Sequence, residues 1–270
     1  MPEGDTIHRT AARLEPVLAG RTVSRFEARR LVEAGPKPGT TIDGVEARGK
    51  YLLVHFGDGQ TLETHMKMTG SWHIYRTGER WRRSPASARA LIETEDGWTA
   101  VCFSAPHVKL RRTTGGPDHL GPDLCAPTPD LAEAVRRFAR RGDDDPVMDA
   151  MLDQRICCGV GNVYKSEVLF ACGLHPWTPL RSVPYDLRVR LVATAHRLLR
   201  QNLGAGPRVT ATGTGPGGAG GLAVYGRRGR PCPRCGTAIA YAIGGEHDRS
   251  TYWCPGCQPA PAGRTAAEPS

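Results

Sequence analysis

The chain has 270 residues, with 36 Lys and Arg against 27 Asp and Glu, a net charge of +9. That excess favours a polyanionic partner, although a solvated basic surface would give the same composition. No apolar run is long enough to span a membrane, and the first twenty residues lack the apolar core of a secretory signal; membrane and secreted classes are set aside in favour of a soluble cytoplasmic protein.

The chain opens Met1-Pro2-Glu3-Gly4-Asp5-Thr6. A small second residue favours removal of the initiator methionine, which leaves a free proline amine. An α-amine has a reference pKa of about 7.7–8.0, so a useful fraction is neutral near pH 7 and can attack an electrophilic carbon. Glu3 stands next to it and could move the proton. Many proteins begin Met-Pro without any such chemistry, and this stretch alone does not decide. Thr6 reads as the cap of a helix that places Ile7, Ala11, Leu14 and Leu18 on one face and stops at Gly20. Pro2 and Glu3 then precede a helix N-terminus, whose positive end favours the neutral amine.

From Arg21 to about Arg112 the signals are strands. Tyr51–Phe56 is apolar, bounded by Gly57-Asp58-Gly59, and followed by Thr61–His65, which predicts a hairpin. Trp72–Tyr75, Ala90–Thr94 and Thr99–Phe103 continue the series, and together they predict a β-sandwich or barrel. Gly115 to Pro129 reads as loop and linker. Helices are then expected at Leu131–Arg141, Val147–Leu152, Asn162–Cys172 and Tyr185–Leu203, the last with an apolar stripe of Leu187, Leu191, Leu198 and Leu203. Gly204–Gly221 is glycine-rich and reads as a mobile loop or linker. The expected architecture is α+β: a β-sandwich with a leading helix at 1–116, a helical unit at 128–222, a cysteine-rich module at 223–258 and a disordered tail at 259–270.

The strongest local signal is Cys232-Pro-Arg-Cys235 and Cys254-Pro-Gly-Cys257, with eighteen residues between the pairs. Each pair turns two thiolates toward one point, and four thiolates suit tetrahedral Zn²⁺. One structural zinc is expected, with no open position for water. Arg227, Arg228, Arg230, Arg234 and Arg249 offset the site's charge and suit phosphate contact; a purely structural staple fits the same residues. The other five of the nine cysteines have no paired spacing and read as packing residues. Gly159-Val160-Gly161-Asn162-Val163-Tyr164-Lys165 opens a helix. Glycines there let backbone N–H groups approach a phosphate, with Asn162 and Lys165 as side-chain donors, although a plain helix-hairpin turn has the same look. Glu167, one turn on, reads by itself as a solvated or capping carboxylate. Lys50, at the mouth of a strand, either faces water or grips a phosphate. Met68, between two strands, is core by default or, at an exposed tip, a wedge for a gap in a base stack. His8 and His107 show no partner.

Taken in order, these pieces resemble the formamidopyrimidine-DNA glycosylase and endonuclease VIII family from Pro2 to Cys257. The resemblance rests on Met1-Pro2-Glu3-Gly4, Arg48-Gly49-Lys50-Tyr51-Leu52-Leu53, Leu120-Gly121-Pro122-Asp123, Leu152-Asp153-Gln154 with Gly159-Val160-Gly161-Asn162-Val163-Tyr164, Glu167, Tyr225-Gly226-Arg227, and Arg249 with Tyr252-Trp253-Cys254-Pro255-Gly256-Cys257. It implies a β-sandwich, a helix–two-turn–helix domain and a zinc finger, with damaged single- or double-stranded DNA in the cleft between and a flipped nucleotide. It further implies a monomer on the nucleoid that is a bifunctional glycosylase and abasic-site lyase. By the resemblance, the Pro2 amine attacks C1′, Glu3 protonates the sugar ring oxygen, and a Schiff base carries β- and then δ-elimination. Lys50 contacts phosphate and assists proton transfer, Asn162 and Arg249 grip phosphates, Arg249 serves the δ step, Glu167 lies near the lesion pocket and Met68 matches the wedge. Pro-Glu-Gly is closer to the endonuclease VIII branch, which points to oxidised pyrimidines. Thr6 stands where many members carry Glu, and the glycine-rich Thr210–Gly221 matches neither branch. Oxidised purines are the alternative substrate, and a non-catalytic zinc-finger DNA-binding protein is the alternative class.

Overall fold

The computed structural model describes residues 2–29, 31, 35–112, 116–211 and 221–261. The chain forms two compact units, Met1–Asp118 and His119–Ser270. Most of the expected glycine-rich loop (212–220) and of the tail (262–270) lies outside the described residues.

The first unit starts with α1 (Gly4–Leu18), whose buried face is Ile7, Ala11, Leu14 and Leu18, as the spacing predicts. Its N-cap residue is Glu3 and not Thr6. Buried Asp5 explains the shift: its Oδ1 accepts from the Thr6 N–H at 2.7 Å and from the Thr6 hydroxyl at 3.2 Å, so capping chemistry moves into the first turn. A carboxylate there also suits the helix dipole.

Among the described residues eight strands follow: β1 (Val23–Ala28), β2 (Ile42–Arg48), β3 (Tyr51–Phe56), β4 (Thr61–His65), β5 (Ser71–Arg76), β6 (Ala88–Thr94), β7 (Trp98–Phe103) and β8 (His107–Arg111). They form two antiparallel four-stranded sheets, ordered β1-β6-β7-β5 and β2-β3-β4-β8. Leu52, Val54, Phe56 and Leu62 of one sheet and Trp72, Ile92, Ala100 and Cys102 of the other share a single apolar core with α1. Trp72 buries its ring there because its indole N–H reaches the Thr64 hydroxyl at 3.1 Å.

The second unit holds α2 (Leu131–Arg136), α3 (Val147–Leu152), α4 (Asn162–Cys172), α5 (Tyr185–Gln201) and a hairpin of β9 (Ala240–Gly244) and β10 (Arg249–Trp253). The expected helix over 131–141 is shorter: Asp130 caps α2 through the Glu133 N–H at 2.8 Å, and Arg137–Arg140 tightens into a 3₁₀ turn that drops Phe138 into the core. Gln154 staples the turns between α3 and α4. Its side-chain nitrogen donates to the Leu152 and Val160 carbonyls at 2.7 and 3.0 Å, and its oxygen accepts from the Gly159 N–H, where the chain needs φ +102°. Every residue of α4 from Asn162 to Phe170 is buried. The cysteine hairpin packs Trp253 into the same core as α3, α4 and α5, so the finger does not form a unit of its own.

Candidate nucleic-acid and catalytic site

In the first unit, Pro2 is half-buried and immediately precedes Glu3, whose side chain is buried and whose carbonyl accepts the Thr6 and Ile7 N–H groups. Lys50 sits in the two-residue turn between β2 and β3, where Gly49 takes φ +60°. Beside that turn, Tyr51, His65 and His107 occupy one cross-strand row. The Tyr51 ring meets both imidazoles edge-to-face, with centroids 4.8 and 5.7 Å away. Burial, helped by the Lys67 and Lys50 ammoniums, brings His65 down to about 4, so its Nδ1 stays free of a proton and accepts the Lys67 N–H at 3.0 Å.

The partner that spacing did not give His107 is Glu63, with Nε2 and Oε1 2.6 Å apart; Arg111 stands 3.1 Å from the other oxygen. Burial alone would raise the Glu63 carboxyl, but the His107 hydrogen bond and the Arg111 charge hold it low. This His65–His107–Glu63–Arg111 group escapes sequence reading because its members come from different strands and meet only through register.

The β4–β5 loop presents Met68 at 63 % exposure while Met66 beneath it is buried. Gly70 permits the sharp return, since a Cβ there would press on the Met66 backbone.

In the second unit, the sulfurs of Cys232, Cys235, Cys254 and Cys257 all lie within 4.8 Å of one another, and close pairs are 3.4–3.9 Å apart. A tetrahedral zinc with bonds of about 2.3 Å requires sulfurs roughly 3.8 Å apart, so the four thiolates fit one Zn²⁺ and leave no ligand position for substrate. Arg249, the first residue of β10, is exposed.

Three expected contacts take a different form here. Lys165, expected to reach DNA, is fully buried; its ammonium donates to the Thr251 hydroxyl at 2.7 Å and to the Ser250 carbonyl at 3.3 Å. The hairpin covers it, which leaves it no surface for a DNA phosphate. Asn162 is 4 % exposed and its amide nitrogen bonds the Ser250 carbonyl and hydroxyl at 2.8 and 3.0 Å. Glu167 is neither solvated nor a helix cap. It is buried, accepts the Thr210 hydroxyl and the N–H groups of Ala223, Val224 and Tyr225 (2.8–2.9 Å), and thereby fastens both flanks of the 212–220 segment to α4. One wall of a cavity of about 300 Å³ is formed by Glu167, with Phe170, Arg197, Thr210 and Arg234 around it.

A β-sandwich led by a helix, joined in one chain to a helix–two-turn–helix unit with a four-cysteine finger, defines a known class of DNA-repair protein fold. Solved structures of this fold include formamidopyrimidine-DNA glycosylase from Lactococcus lactis, bound non-covalently to DNA containing an abasic site, at TM-score 0.78 and 23% identity, covering 96% of this chain and 100% of that one. Residues 1–108 match the formamidopyrimidine-DNA glycosylase N-terminal domain and residues 120–212 the corresponding H2TH domain. Among curated relatives, "Probable endonuclease 8 2" of Streptomyces coelicolor is 41% identical over 100% of this chain and 99% of its own length. "DNA-(apurinic or apyrimidinic site) lyase Nei2" of Mycolicibacterium smegmatis is 38% identical over 96% and 100%. The chain belongs to the formamidopyrimidine-DNA glycosylase family, which includes the endonuclease 8 proteins.

Proposed function

We propose that the protein is a base-excision DNA glycosylase and abasic-site lyase that removes oxidised bases, pyrimidines in preference to purines. The observation that carries this reading is Pro2, half-exposed, directly ahead of a buried carboxylate at the start of a helix, in a chain with this family's domains. Once Met1 is removed, the Pro2 nitrogen bonds to C1′ as the C1′–base bond breaks; the base leaves with that electron pair and takes up the proton that the Pro2 nitrogen gives up. Glu3 donates its proton to the ring oxygen as the sugar opens, which leaves an iminium between Pro2 and C1′. Loss of a C2′ proton then expels the 3′ phosphate (β) and a further elimination expels the 5′ phosphate (δ). Lys50 neutralises phosphate and assists proton transfer near Pro2. Arg249 grips phosphate and serves the δ step. Asn162 reaches a phosphate by exchanging its Ser250 contacts for phosphate oxygens. Met68 fills the gap left by the flipped nucleotide, for which its exposure fits. Glu167 shapes the lesion pocket by anchoring the segment beside it. One zinc holds the finger that presents Arg249.

The names of the endonuclease 8 relatives and the Pro-Glu-Gly opening favour the pyrimidine reading. No helix of the described residues is long and apolar enough to cross a membrane, which fits work on the nucleoid.

The test is borohydride trapping on abasic-site DNA, run beside excision of an oxidised pyrimidine and an oxidised purine. A covalent adduct that vanishes in Pro2→Gly and Glu3→Gln protein, with faster pyrimidine release, is the expected result. Salt-sensitive binding without an adduct would make the protein a non-catalytic DNA binder. Faster purine release would reverse the substrate assignment alone.

A further inference from the structure

Lys165 is the most unusual residue of the second unit. It is a lysine with no exposed surface in the first turn of α4, and its ammonium points at the finger hairpin. Lysine is seldom fully buried unless its charge is put to use. Here it donates to Thr251 Oγ1 at 2.7 Å, and the Thr251 hydroxyl in turn donates to the Arg249 carbonyl at 3.2 Å. The ammonium also reaches the Ser250 carbonyl, which accepts from Asn162 as well. The two peptide carbonyls that follow the Arg249 side chain are therefore both tied to α4.

The other side of Arg249 is held independently. The hairpin turn runs from Gly244 to Arg249, and Asp149 of α3 accepts the Glu246 N–H at 3.2 Å. Gly245 adopts φ +80° against that carboxylate, and a Cβ there would collide with Asp149 Oδ1. Arg141 adds an ion pair to Glu246 at 2.8 Å. Arg249 itself is exposed. Its side chain leaves a backbone pinned on one side by Lys165 and Asn162 and on the other by Asp149 and Arg141.

We infer that Lys165 is a positioning residue for catalysis: through Thr251 it fixes the backbone of Arg249, so that the exposed guanidinium meets the DNA phosphate in one geometry. A charged donor suits the task, because a hydrogen bond from an ammonium to a neutral acceptor is stronger than one between neutral groups. A small displacement of a group that grips the reacting strand is costly, because misplacement by about 1 Å lowers rates on the order of a hundredfold. The inference rests on Arg249 contacting DNA, as proposed above.

The experiment is a double-mutant cycle on the full-length, zinc-loaded protein, read by single-turnover cleavage of abasic-site DNA and by the ratio of δ to β product. Lys165→Met should retain zinc, slow cleavage by roughly ten- to a hundredfold and lower the δ fraction. In an Arg249→Ala background the same change should add less than about twofold, since residues that act through one another are not additive. Thr251→Val, which removes the relay and keeps the shape, should repeat the Lys165→Met loss and serves as the readout if Lys165→Met does not fold. Losses that multiply in full in the double variant, or a Thr251→Val protein with the parental rate and product ratio, would overturn the inference and leave the role of Arg249 standing. A parental rate and product ratio in Arg249→Ala itself would remove the proposed role of Arg249 and the positioning role with it.

Discussion

His65 shows how one side chain can be tuned by its place in a sheet. It accepts the Lys67 N–H through Nδ1 and lies close to the Lys50 and Lys67 ammoniums, so a second proton has nowhere favourable to go. Burial above all, and then these charges, bring its pKa from 6.5 to about 4. In the unfolded chain the group takes up a proton below about 6.5, so between these two values the unfolded state binds more protons. The stability His65 contributes is present in full above pH 6.5 and is lost as the pH falls through 4, by at most about 3 kcal/mol. Urea melts at pH 7 and at pH 4.5 should show a steep loss for the parent and a shallower one for His65→Gln; parallel losses would contradict the assignment. The residues that were legible in the sequence are those whose chemistry is local. Two Cys-x-x-Cys pairs fix four ligands by spacing alone, whereas Glu63 and His107 are forty-four positions apart and are joined only by strand register.

Elements follow the same division. β3, β4, β6 and β7 are the inner strands of their sheets, covered on both sides, and their apolar runs stand out in the sequence. Of the edge strands, β5 was legible through Trp72, Ile74 and Tyr75, whereas β1, β2 and β8 carry charged residues such as Glu27, Glu46 and Lys109, so only the general strand character of the region could be read there. α4 was legible in its limits and not in its environment. Asn162, Lys165 and Glu167 are polar residues that would ordinarily face water or DNA, yet all are buried, because the finger hairpin and the turn at 223–225 cover them. Burial of a carboxylate under four donors makes a direct prediction for these elements. Glu167→Gln turns one acceptor into a donor facing other donors, at a cost of about 2–4 kcal/mol. Hydrogen exchange at Ala223, Val224 and Tyr225 should accelerate while amides in β3 and β7 keep their protection. Unchanged protection at 223–225 would show that Glu167 does not fasten this segment.

At the scale of the whole molecule, two units have their own apolar cores, and the four-cysteine cluster that fits one zinc belongs to the second. Trp253 lies one residue from the ligand Cys254 and sits among α3, α4 and α5. Loss of the metal is therefore expected to loosen the helical unit as well as the finger. Cys254→Ser, or chelation of the parent protein, should abolish tight DNA binding and shift the unfolding of the second unit downward, while the β-sandwich unfolds at its former temperature. Tight binding that survives metal loss would count against the finger as the holder of Arg249. The two-unit plan and the finger could be anticipated from the change of composition along the chain. The shared core of finger and helices could not, because it depends on buried polar contacts whose partners are eighty or more residues apart.

The account turns on covalent chemistry at Pro2, and intact-mass analysis of the borohydride-trapped protein–DNA complex tests it most directly. Active molecules are expected to lack Met1, to carry one reduced sugar remnant, and to yield after digestion a single modified peptide that begins at Pro2. An adduct on a lysine such as Lys50, or full lyase activity from molecules that keep Met1, would contradict it.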